Sequence, residues 1–131
     1  MWNNLITNKD IFNLMEQFGS FHDSCIKELK YISGAYVDEN LTMQPINNQR
    51  ILKVIFQRQH ENYSTIEMEF LELVTLNLTP TDEQYTGEIR GATCILKNSC
   101  IYWYDDSNCS VEQEYDGTWI CAKKARWRSL D

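Results

Sequence analysis

The chain has 131 residues, 19 acidic against 12 basic, and a formal net charge of −7. This length is typical of one domain, residues 1–131, which can bury enough surface to fold without cross-links. The negative charge argues against nucleic-acid binding, and no apolar run approaches the roughly 20 residues that cross a membrane.

One amphipathic helix is predicted near the start of the chain, over residues 8–18. Thr7 or Asn8 can cap it, Asp10 lies in its first turn, and Gly19 stands where a helix would end. A single apolar stripe is expected between these signals. Its members recur at spacings of three and four: Ile11, Phe12, Leu14, Met15 and Phe18.

The following part of the chain predicts strands. Extended segments are expected at residues 25–37, 50–58, 65–70 and 73–79. Ile66, Met68 and Phe70 alternate with polar residues, so they should face the core. The alternation breaks at residues 71–73, which predicts a bulge or bend there.

A hairpin is predicted from residues 86–97 and 100–105, turning at Asn98 and Ser99. A polar loop should follow over residues 106–117, and a last strand over residues 118–128.

That last strand predicts two different faces. Trp119, Cys121, Ala125 and Trp127 would form a row facing the core. The outward row would be basic, and it could pair with Glu67 and Glu69 if their strand is a neighbour. The basic row comprises Lys124, Arg126 and Arg128.

The order of these elements predicts an α+β fold. We expect an N-terminal helix packed on a largely antiparallel, curved sheet of six to eight strands, forming a partial barrel or a sandwich.

The first residues of the chain and its cysteines indicate where the protein is located and whether it binds a metal. The first ten residues lack a basic segment followed by an apolar one, so we expect no secretory signal. Five cysteines then indicate reduced thiols and a cytoplasmic location. No Cys-x-x-Cys pair occurs, and the predicted hairpin puts Cys94 and Cys100 on opposite faces. We therefore expect neither a metal site nor a cofactor.

Acidic residues concentrate in two windows that contain no Lys or Arg, residues 59–89 and 98–122. Five aromatic residues of these windows can either anchor a protein interface or fill the core: Tyr85, Tyr102, Tyr104, Tyr115 and Trp119. The interface interpretation predicts these partner-binding residues: Glu67, Glu69, Glu72, Asp82, Glu83, Tyr102, Tyr104, Asp105, Asp106, Glu112, Glu114, Tyr115 and Asp116.

A second candidate site follows the helix. His22, Asp23 and Ser24 are polar and reactive residue types, and together they could bind a small molecule. A structural interpretation is favoured for these residues, because Asp and Ser also form turns by accepting backbone N–H bonds. His22 and Cys25 would face opposite ways on a strand, so they are not predicted as a catalytic pair.

The run Phe21-His22-Asp23-Ser24-Cys25-Ile26, directly after a short helix, resembles an element of a group of small bacterial cytosolic proteins. Some of these proteins accompany secreted toxins as immunity proteins. The resemblance covers the first third of the chain by motif and the rest by strand pattern. It implies a compact α+β domain without enzyme activity that binds a toxin partner.

The favoured hypothesis is therefore a non-enzymatic acidic protein-binding module, in its most concrete form an immunity-type inhibitor of a basic toxin domain. One alternative is a small-molecule-binding or enzymatic β-domain with a pocket near His22. Another is a structural domain that forms homo-oligomers by pairing exposed strand edges.

Overall fold

The computed structural model describes residues 1–131, and its main unit is a sheet of seven antiparallel strands with one helix on its face. The predicted α+β class is confirmed, and the sheet stays open instead of closing into a barrel. The helix is α1 (Asn8–Gln17), and it is too short to cross a membrane, as is every other helical segment. The strands are β1 (Asn3–Asn4), β2 (Ser24–Ile32), β3 (Tyr36–Val37), β4 (Met43–Gln44), β5 (Ile51–Arg58), β6 (Thr65–Asn77), β7 (Thr93–Lys97), β8 (Cys100–Tyr104) and β9 (Trp119–Ser129).

The main sheet has the strand order β2-β5-β6-β9-β8-β7, with β1 pairing separately with β9. Strands β2 and β7 are therefore its two edges. Strands β3 and β4 form a small hairpin of their own outside this sheet.

The predicted helix is confirmed to within one residue at its end. Thr7 caps it through its hydroxyl oxygen, which accepts a hydrogen bond from the Asp10 backbone N–H at 3.3 Å. The Asp10 carboxylate accepts in return from the backbone N–H groups of Ile6 and Thr7, both at 2.9 Å. This reciprocal pair is a capping box, which satisfies N–H groups that have no partner inside the helix.

This capping box should make a pH-dependent contribution to stability. The bonds from the Ile6 and Thr7 N–H groups hold the pKa of Asp10 below its ordinary 3.8. Because the folded-state pKa is lowered, the contribution is complete above about pH 4 and is lost as the pH falls through the lowered pKa. We expect Asp10→Ala to lower the melting temperature at neutral pH, with a difference from wild type that shrinks in strong acid. Circular dichroism melts test this, and an equal difference at both pH values would contradict it.

The strand predicted at residues 25–37 ends early, at Ile32. Gly34 turns the chain away from the sheet with a φ of +99°, and a Cβ there would clash with the Asn48 side-chain oxygen. The remainder of the predicted strand forms the small β3–β4 hairpin instead, where Leu41 and Met43 are exposed.

The segments predicted at residues 65–70 and 73–79 form one strand, β6. The predicted irregularity is present, because Glu72 has a φ of +53° and the register with β9 shifts between Leu73 and Thr75. Ile66, Met68 and Phe70 are fully buried, as their alternation predicts.

The predicted hairpin turn is confirmed. Asn98 and Ser99 have φ values of 53° and 61°, the positive values that tight two-residue hairpins require. Cys94 lies opposite Trp103, so the register is the predicted one. The first arm is shorter than expected, since β7 begins only at Thr93 and residues 86–92 are mostly loop.

The faces predicted for β9 are only half correct. Ala125 and Trp127 pack in the core as expected, but Trp119 and Cys121 do not belong to the same row. Their neighbours Ile120 and Ala122 take the core positions instead. The alternation shifts at Lys123 and Lys124, beside the irregular stretch of β6, because a bulge changes which side chains face each side of a sheet.

Candidate protein-interaction surface

Aromatic side chains cover the outer side of the sheet at β8 and β9. Trp103 points into the core, so Tyr102 and Tyr104 on either side of it point the opposite way. Tyr104 lies opposite Trp119, which the shift in β9 has turned to the same side. Tyr115 joins them from the following loop, and we call these four residues the aromatic face: Tyr102, Tyr104, Tyr115 and Trp119.

The rings of the aromatic face hold one another in place. Tyr104 stacks on Tyr102 with ring centroids 6.4 Å apart and on Trp119 at 6.0 Å, with planes within 18° of parallel in both pairs. The Tyr115 ring meets Tyr104 edge-on, at 5.7 Å and 84°. Tyr104 is nearly buried, whereas the other three rings are half-buried. Rings ordered in this way lose little conformational freedom when a partner packs on them.

The segment of residues 105–118, which we call the acidic loop, joins β8 to β9 and lies against these rings. Its Tyr115 hydroxyl donates a hydrogen bond to the Asp105 carboxylate, and the Thr93 hydroxyl on β7 donates to the Asp106 carbonyl at 2.7 Å. Loss of solvent and then the nearby Asp105 charge raise the pKa of Tyr115. This phenol therefore remains a hydrogen-bond donor across the physiological pH range.

Negative charge surrounds the aromatic face. A cavity of about 490 Å³ lies between the rings and residues 111–116 of the acidic loop. Glu112, Glu114 and Asp116 are exposed there, and only Lys97, paired with Glu112, opposes them. Rigid rings among carboxylates suit Lys or Arg side chains, which bind carboxylates by charge and aromatic faces by cation–π contact.

Glu67 and Glu69 do not contribute to this exposed charge, contrary to the sequence expectation. They are buried on β6, where the Glu67 carboxylate pairs with Arg128 at 2.8 Å and the Glu69 carboxylate with Arg126 at 2.7 Å. Lys53 on β5 approaches Glu69 from the other side, at 3.7 Å. The predicted pairing between these acids and the basic row of β9 is confirmed, and it neutralises both carboxylates inside the sheet.

Glu72 is also paired, with Lys124 at 3.3 Å, on the same side of the protein as the buried ion pairs. Trp2 covers that region, with its ring 4.2 Å from the Arg126 guanidinium and 4.5 Å from that of Arg128. The structure thus separates the β6 acids from the aromatic face.

Asp82 and Glu83 lie exposed in the loop of residues 78–92. Neither lines the cavity beside the aromatic face. The two acidic windows approach each other nearby, since Glu88 and Asp105 line one shared cavity of about 350 Å³. The predicted contact residues Asp82 and Glu83 therefore lie outside both cavities.

The alternative site at residues 22–24 is only partly assembled. Asp23 and Ser24 line one cavity of about 500 Å³ together with Arg58 and Glu88, whereas His22 does not line it and lies with its Nε2 atom 3.5 Å from the Asp23 carboxylate. His22 is exposed, with its Nδ1 atom 2.8 Å from the Arg90 carbonyl oxygen, whereas Ser24 is buried and donates to the Phe21 carbonyl at 2.6 Å. The Arg90 carbonyl and then the Asp23 charge raise the pKa of His22. These contacts attach the loop before β7 to the end of the helical region, so the residues have structural partners.

Three of the five cysteines are held in the neutral thiol form. All five are free thiols, and no three His, Cys, Asp or Glu side chains form a metal-ligand group. Burial raises the pKa of Cys94 to about 12, and loss of solvent also raises the pKa of Cys109 and of Cys121. These three thiols are therefore protonated at neutral pH, and the thiol is a poor nucleophile.

Comparison of the chain with protein-family models, with characterised proteins and with solved structures finds no match.

Sequence reasoning left one member of this region open and missed another. Trp119 was considered both for the core row of the last strand and for a solvent-facing position, whereas Lys97 was not expected near the acids. The bulge that reorients Trp119 has a local signal at residues 71–73, but on the neighbouring strand. The Lys97–Glu112 pair spans a loop without periodicity, so no local pattern predicts it.

Proposed function

We propose that this chain is a non-enzymatic, acidic protein-binding module, and that its contact surface is the aromatic face together with the acidic loop. The observation that carries the proposal is the stack of Tyr102, Tyr104 and Trp119 on the outer side of the sheet, bordered by exposed carboxylates. Ordered tyrosine and tryptophan rings are the residue types that dominate the energy of protein interfaces.

The charge of this surface defines the partner as a basic protein. Exposed Glu112, Glu114 and Asp116 would attract cations and accelerate encounter with a positively charged domain. The same field would repel the phosphates of nucleic acids.

Among basic partners, we propose a toxin domain, bound so that its active site is occluded. Nuclease toxins hold phosphates and are therefore basic where they act. The resemblance of residues 21–26 to an element of immunity-type proteins supports this partner class. In this role the chain would act by shape and charge, without a chemical step of its own.

A charge-reversal experiment tests the surface. The variant Glu112→Lys/Glu114→Lys/Asp116→Lys is compared with Glu16→Lys/Glu28→Lys/Glu39→Lys, which makes the same change in net charge at exposed sites elsewhere. The probes are purified basic nuclease-toxin domains, and their association is measured by surface plasmon resonance. We expect the first variant to associate about tenfold more slowly or worse, and the second to associate within about threefold of wild type.

The salt dependence of the association rate tests whether electrostatic attraction drives binding. The wild-type association rate should fall as ionic strength rises, because added ions screen the attraction between exposed charges. Equal losses in both triple variants would show that net charge alone matters and would overturn the surface assignment. A wild-type rate that is independent of salt would overturn the electrostatic argument, and absence of binding at low salt would overturn the toxin partner.

The homo-oligomer alternative remains a prediction. Strands β2 and β7 are free sheet edges, and the β3–β4 hairpin exposes apolar side chains, so pairing between copies has surfaces on which to occur.

A further inference from the structure

A cavity of about 680 Å³ opens between the N-terminal segment, the β7–β8 turn and β9. Four of its lining residues belong to the hydrophobic core or pack against it: Leu5, Leu96, Ile101 and Ala125. Its apolar wall consists of Leu5, Ile6, Leu71, Leu96, Ile101 and Ala125. This volume and lining fall within the usual range of small-molecule sites, which are mostly apolar with a few polar groups.

Positive charge gathers at this cavity although the whole chain is acidic. Three of its remaining lining residues are Lys97, Lys123 and Lys124, on a protein of net charge −7. Two of these ammonium groups already have carboxylate partners elsewhere, on Glu112 and Glu72. Lys123 is exposed and makes no ion pair, so the apolar cavity carries one uncompensated positive charge.

One monovalent charge beside an apolar wall specifies the chemistry of an occupant. A neutral apolar molecule would form no ion pair with Lys123. A dianionic phosphate would bring a second negative charge that has no partner in apolar surroundings. A carboxylate at the end of an aliphatic chain matches both features. Its chain would bury apolar surface against Ile6 and Leu96, which are accessible, and its single charge would meet Lys123.

We propose that this cavity binds an amphipathic carboxylate, an aliphatic chain ending in one carboxyl group. Lys97 belongs to both regions, because it lines this cavity and pairs with Glu112 of the acidic loop, but the carboxylate site does not depend on the proposed function.

Isothermal titration calorimetry with decanoate, kept below its micelle concentration, tests the site. We expect one decanoate per chain, with an affinity about fivefold or more weaker in Lys123→Glu, because that change replaces an attraction with a repulsion. The matched control Lys30→Glu alters an exposed lysine on β2 and should stay within about twofold of wild type. The variant Ile6→Ser changes a wall residue that is 70% exposed, so folding should tolerate it while decanoate binds more weakly.

Four results would overturn the proposal. These are no saturable binding of one decanoate per chain, equal weakening in Lys123→Glu and Lys30→Glu, decanol binding as tightly as decanoate, and a dimer in light scattering that Ile6→Ser dissociates. In the last case the cavity wall would belong to an interface with a second copy.

Discussion

Replacing Phe21 by alanine is expected to lower the free energy of unfolding by about 3–5 kcal/mol. The Phe21 side chain is fully buried and lies at the centre of an aromatic cluster. Its ring centroid is 5.0 Å from those of Phe18 and Phe56 and 5.7 Å from that of Trp103, in edge-on contacts. Alanine would leave a cavity between the helical region and the sheet, and these contacts would be lost together with the transfer energy of the ring.

Urea denaturation followed by tryptophan fluorescence measures this loss. The control is Phe12→Ala, which removes an equal side chain from α1 where it is 63% exposed, and should change stability by about 0.5 kcal/mol or less. Domains of this size have total stabilities of only about 5–15 kcal/mol, so Phe21→Ala could fail to fold. Phe21→Leu then provides a second measurement, with an expected loss of about 1.5 kcal/mol. Similar losses at positions 12 and 21 would contradict the assignment of Phe21 to the centre of the core.

Arg126→Met is expected to lower the free energy of unfolding by about 2–3 kcal/mol. The change leaves the Glu69 carboxylate, whose side chain is 7% exposed, with only Lys53 at 3.7 Å as a partner. An uncompensated buried charge loses its hydration without regaining an equivalent interaction. The expected value is below that of a fully buried pair because the Arg126 side chain is 34% exposed and partly screened by solvent.

The double variant Glu69→Met/Arg126→Met distinguishes the effect of an unpaired Glu69 carboxylate from the effect of removing the whole ion pair. Removing both charges eliminates the unpaired carboxylate, so we expect stability within about 1 kcal/mol of wild type. Lys124→Met is the matched control on the same strand, since its pair with Glu72 is largely exposed and should contribute about 1 kcal/mol or less. Chemical denaturation compares all three variants. A double variant no more stable than Arg126→Met would show that the unpaired carboxylate is not the cause.

The candidate surface could be predicted only in part from the sequence. The tyrosines and acids of residues 102–116 were predicted together because they are close in the chain, and the structure brings most of them into one region. Glu67 and Glu69 were assigned to the same surface only because they are acidic. Their burial depends on strand order, because only the pairing of β6 with β9 puts Arg128 and Arg126 directly opposite them.

Elements governed by local interactions were determined by the sequence itself. The helix with its capping box and the hairpin turn at Asn98 and Ser99 follow from hydrogen bonds and backbone conformations within a few residues. The position of Trp119 was decided only by the tertiary structure. The shift in alternation that turns the Trp119 side chain to the outer side of the sheet arises between β6 and β9, which are far apart in the chain. The lysine-lined cavity likewise joins segments from both ends of the chain and from its middle, and only packing of the whole domain brings such segments together.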